Sequence, residues 1–132
     1  MLEIATPKMN SPNYFYTFGY KGSTANNNGL GIAHGEELMY LFKLSSGCNL
    51  NFTAADLSIS KTMVEMWTSF AVKGKPISSE LRNPNIWLPF TTRNPVHLQI
   101  GDINNNTDST VTLNNTFYMD RMNFWRKNAP IQ

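Results

Sequence analysis

The stretch of this 132-residue chain best equipped for chemistry is Gly31-Ile32-Ala33-His34-Gly35-Glu36-Glu37. An imidazole titrates near neutrality, so it can take up a proton and hand it back. Gly35 leaves the His34 ring uncrowded, and a glycine-rich loop leads into it. The other histidine, His97, alternates with Val96, Leu98 and Ile100, which predicts a place on the solvent face of a strand. Other chemistries find no support. Two His and one Cys, without His-x-x-x-His or paired-Cys spacing, build no metal site. There is no G-x-S-x-G elbow, no phosphate-cradling glycine loop and no cofactor motif. Glu36 and Glu37 read as first-turn acids that complement a helix dipole, in preference to a catalytic pair.

Several elements must hold His34 in place. Tyr14 to Tyr20 alternates aromatics with period 2 after Pro12, which predicts a strand with bulky residues on both faces. Residues 22–33 form a small-residue loop rich in Gly and Asn, able to bend sharply. A helix is expected directly after His34. Catalytic groups are commonly carried on such loops at strand ends. The clearest helix spans about Ala54 to Val72, with Ile59, Met63, Met66, Trp67 and Phe70 as one apolar stripe. Lys73-Gly74-Lys75-Pro76 closes it with Gly74 as C-cap. Trp87 to Phe90 and Val96 to Ile100 read as short extended pieces, 101–115 as an exposed loop, and Thr116 to Lys127 as a last helix. So few strands do not close a sheet, which predicts the end of a larger α/β sheet.

Composition narrows the classes further. Charged residues make up 15% against a usual value of about 25%, so amides and hydroxyls must wet the surface. Sixteen aromatic residues and seven Met supply ample core and argue against disorder. No apolar run reaches the length of a membrane span, and the first residues lack the pattern of a signal peptide. A net charge of +2, evenly spread, implies neither nucleic acid nor an anionic membrane as partner. Cys48 is the lone cysteine and cannot form a disulfide within the chain.

Four ordered signatures resemble type-B carboxylesterases and cholinesterases. Tyr14 to Phe18 followed by Gly31 to Phe42 is similar to their aromatic strand and G-x-x-H-G/A-x-E/D-L/I-x-x-x-F segment. Trp67-Thr68-Ser69-Phe70-Ala71-Val72-Lys73-Gly74-Lys75-Pro76 resembles their W-x-x-F-A-x-x-G-x-P helix end. Trp87-Leu88-Pro89-Phe90 resembles W-P-x-Y/F, and Arg121-Met122-Asn123-Phe124-Trp125 resembles R-x-x-F-W. The likeness covers residues 12–127, with insect esterases the nearest flavour. It implies the C-terminal portion of an α/β-hydrolase fold, one carboxylesterase domain cut to residues 1–132, acting on a small-molecule carboxylic ester.

In that fold the triad runs Ser, then Asp or Glu, then His, and His34 falls on the last place. The resemblance makes His34 the general base and acid, with nucleophile and triad acid upstream, so the piece alone is expected to be inactive. Leu30 and Ala33 take the substrate-lining positions before the His-Gly pair. Glu36 stands where cholinesterases carry an aromatic, which disfavours a cation-π site for choline. Met122 stands where they carry a cysteine. Asn51, Asn105 and Asn114 open N-x-S/T sequons and are candidate glycosylation sites, though chance alone supplies about three in this composition. Secretion is expected from the family likeness and low charge, with a cytoplasmic location the alternative. The competing function is a non-catalytic cholinesterase-like adhesion ectodomain.

Overall fold

The computed structural model describes residues 2–23, 31–42, 51–102, 110–115 and 117–130. A short helix α1 (Leu2–Ala5) and a 3-10 turn (Thr6–Lys8) lead into strand β1 (Tyr16–Phe18). Helix α2 (Leu38–Leu41) and the long α3 (Ala54–Lys73) follow, then β2 (His97–Ile100), β3 (Val111–Asn114) and α4 (Met119–Asn128). The strands form one mixed sheet in the order β1-β2-β3, with β1 parallel to β2 and β2 antiparallel to β3. Tyr16 pairs with Leu98 and Phe18 with Ile100, and Gly19 N–H extends the pairing to the Ile100 carbonyl at 2.8 Å.

Helix α3 is written into its own residues. Thr53 caps it reciprocally with Asp56, and Gly74 ends it in the left-handed region at φ 67°. Ile59, Met63 and Met66, spaced by four and three, pack with Leu98 and Ile100 of β2 and with Tyr20, Tyr40 and Trp87. The stripe then thins. Trp67 is half-buried between Tyr16 and Trp87, while Phe70 meets Tyr14 edge-on at 5.7 Å and stays 47% exposed. A helix of 20 residues is about 30 Å long, and strands of four residues span only about 13 Å, so α3 outruns the sheet.

Several expectations about the fold require correction, four of them about strands and helices and one about His97. The strand expected from Tyr14 to Tyr20 shrinks to Tyr16–Phe18, and Trp87 to Phe90 contributes only a bridge between Phe90 and Asn13. The polar stretch 101–115, expected as a loop, contains β3, whose Val111 pairs with Ile100 and Asn114 with His97. An edge strand needs one apolar face only, so polar residues do not forbid it. The last helix starts later than expected, at Met119, after Tyr118 at φ 40°.

The fifth correction is His97. It is only 3% exposed, not on a solvent face, because Phe15 and Phe117 lie against its ring at 5.9 and 5.4 Å. Its Nδ1 has no hydrogen-bond partner among the described residues. Burial holds this imidazole below its ordinary pKa. The folded chain therefore favours neutral His97, and below about pH 6.5 the unfolded chain gains a proton that the folded one resists. Stability should fall as pH drops from 7 toward 5, and His97→Leu should flatten that slope in urea titrations. An unchanged slope would show that the acid sensitivity lies elsewhere.

At the other end, Arg126 spans both carboxylate oxygens of Glu3, each at 2.6 Å, and so ties α1 to α4. Both partners are half exposed, and such a pair contributes under about 1 kcal/mol.

Candidate active site

Strand β1 runs parallel to β2 and delivers the chain from its carboxyl end through Tyr20 to Ser23. The carboxyl ends of parallel strands are where open α/β sheets place their ligand sites. The described chain resumes at Gly31, φ 85°, and bends again at Gly35, φ 81°. Both angles lie in the region that favours glycine. His34 sits between them, exposed, in a turn closed by Glu36 N–H to the Ala33 carbonyl at 3.4 Å and Leu38 N–H to the Gly35 carbonyl at 3.1 Å. Ala33, beside it, is also exposed.

Glu36 and Glu37 do not occupy the first turn of a helix as expected. They lie in the preceding turn, and Glu37 is the N-cap residue of a four-residue α2. Phenol Tyr16 has its pKa raised by burial and then by the Glu37 carboxylate.

The most elaborate polar cluster lies around Asp56, fully buried in the first turn of α3. Its Oδ2 accepts from Thr53 N–H at 2.7 Å, Thr53 Oγ1 at 2.6 Å and Ser23 Oγ at 2.7 Å. Its Oδ1 accepts from Tyr20 Oη at 3.0 Å, Ser23 N–H at 3.3 Å and, more distantly, Tyr40 Oη at 3.5 Å. Every one of these donors is neutral. Burial pushes this carboxyl upward, but the bonds from Thr53, Ser23 and Tyr20 outweigh it and hold the pKa at about 2. The Tyr20 phenol moves the opposite way, to about 12, through burial and the Asp56 carboxylate. The cluster is tight: a side chain on Gly22 would overlap the Tyr40 hydroxyl and the Asp56 carboxylate. Sequence reading overlooked Asp56, although Thr53-x-x-Asp56 before an apolar run is a capping signal.

Leu30, the second substrate-lining candidate, lies outside the described residues, as do Cys48 and Asn105. Asn51 is exposed ahead of the Thr53 cap. Asn114 is half-buried in β3, and its amide donates to Gln99 Oε1 at 2.6 Å. Among the described residues no group of His, Cys, Asp and Glu is arranged to hold a metal, and no helix is long and apolar enough to cross a membrane.

Known proteins share this pattern. Rat (Rattus norvegicus) bile salt-activated lipase is 36% identical over 81 residues, covering 61% of the chain and 13% of the lipase. The juvenile hormone esterase of Tribolium castaneum is 29% identical over 145 residues, covering 95% of the chain and 24% of that esterase. Esterase FE4 of Myzus persicae is 33% identical over 100 residues, covering 69% of the chain and 17% of its own length. The chain thus spans a quarter or less of each of these relatives. The sequence model of the Carboxylesterase family matches residues 2–125, and with a mixed sheet flanked by helices the chain belongs to that α/β-hydrolase family.

Proposed function

We propose that the chain is the histidine-bearing part of a serine carboxylic-ester hydrolase, with His34 as its proton shuttle. The observation that carries this reading is an exposed imidazole on a glycine-bounded turn downstream of a parallel strand, within the stretch that the family model matches. His34 would take the proton of a serine hydroxyl supplied by the upstream part of the domain as that oxygen bonds to the ester carbonyl. It would return the proton to the departing alkoxide, then draw one from the water that cleaves the acyl-enzyme.

The substrate class is a small carboxylic ester. Ala33, with its small side chain next to the imidazole, faces the alcohol portion in this reading. Upstream strands would continue the sheet along β1, whose second edge pairs with no described residue. Export with a glycan on Asn51 fits the same reading, since Asn51 is exposed while Asn114 is engaged with Gln99.

General-base assistance alone is worth about 10²- to 10⁴-fold, too little without an activated nucleophile. The 132-residue chain by itself should therefore turn over no p-nitrophenyl acetate above buffer, whereas the protein extended through its upstream serine should. Turnover by the short chain that His34→Ala removes would overturn the division of labour. An extended protein that hydrolyses no ester would leave the adhesion ectodomain as the better reading.

A further inference from the structure

We propose that Asp56 is a positioning residue for His34, its carboxylate tying the end of β1 and the leaving flank of the histidine turn to the start of α3. The proposal rests on the reading of His34 as the proton shuttle. Ahead of the turn the carboxylate holds Tyr20 and Ser23, where the chain leaves β1. On the leaving flank it reaches Tyr40, six residues beyond His34.

Tyr40 is fixed from several directions. Its carbonyl accepts from Ser60 Oγ at 2.7 Å, and its ring lies against Phe18, Tyr20 and Phe52, stacked on Phe52 at 5.5 Å. A run of short-range bonds then connects it back to the histidine. Tyr40 N–H binds the Glu37 carbonyl at 3.1 Å, Leu38 N–H the Gly35 carbonyl, and Glu36 N–H the Ala33 carbonyl. A shift of Tyr40 is thus passed to the backbone on both sides of His34.

Helix capping alone does not account for this residue. A cap needs the Thr53 donors, and these engage Oδ2. Oδ1 is given to Tyr20, Ser23 and Tyr40, none of which belongs to α3. A carboxylate suits the place because it accepts only. An amide would set its own N–H groups against donors.

The clamp predicts a loss of turnover without a matching loss of binding. In the intact esterase, Asp56→Asn should lower kcat per folded molecule about 10- to 100-fold, as expected for a misplaced catalytic group. KM for p-nitrophenyl acetate should stay within about threefold. The folded fraction is read from near-ultraviolet circular dichroism, so mere instability changes the yield of folded enzyme and not its kcat. If Asp56→Asn does not fold, Tyr40→Phe decides in its place, since it removes the hydroxyl that donates to Oδ1 and keeps the packed ring. It should lower kcat per folded molecule about threefold or more. A kcat within about twofold of the parent in whichever variant folds overturns the clamp. His34→Ala separates the two readings. If it is inactive while the clamp variants keep full turnover, only the clamp falls; if it is active, the reading beneath the clamp falls too.

Discussion

His34→Ala in the intact esterase should lower kcat about 10⁴- to 10⁶-fold, the range seen when a triad base is removed. The reason is that one imidazole serves both halves of the reaction. It must accept the serine proton during acylation and the water proton during deacylation, so its loss slows two steps together. KM should change little, because the exposed ring contributes proton transfer in place of uniform binding. The measurement is steady-state hydrolysis of p-nitrophenyl acetate, with the pre-steady-state burst recorded in parallel. A variant retaining activity within about tenfold of the parent would remove His34 from the mechanism. Stability should hardly move, since His34 is exposed in its turn.

Gly101→Ala should destabilise the fold by about 3–5 kcal/mol, a large part of what a small domain possesses. Two costs combine. The backbone sits at φ 72°, which a side chain adopts only under strain, and the new Cβ would lie 2.5 Å from the Tyr20 backbone nitrogen and Cα. Backbone cannot swing away as a flexible side chain can. Gly74→Ala is the internal control, with a similar φ of 67° and open space around the added carbon. It should cost only about 1 kcal/mol. Urea titration of the two variants isolates the contact term. Equal losses would show that backbone conformation, and not the approach of Gly101 to Tyr20, sets the cost.

What the sequence disclosed follows from how local each determinant is. Helix α3 was readable almost to the residue because its apolar stripe and terminal glycine lie within its own span or directly after it. The turn that carries His34 was readable because glycines punctuate it on either side. The three-stranded sheet was not. Strand β3 depends on β2 for every partner, and only the folded register reveals that Val111 to Asn114 is extended. The burial of His97 depends on Phe15 and Phe117, which approach from far along the chain. Asp56 showed a capping signal, but its wider role needs Tyr20, 36 residues away, and Ser23, 33 residues away. Periodicity reports which face of an element is apolar. It is silent on which distant segment covers the other face.

The bridge between Glu3 and Arg126 joins residues 123 positions apart. The outermost helices of the described chain are therefore next-door neighbours in space. Added salt should loosen that meeting, because the two charges are half exposed and open to screening by ions.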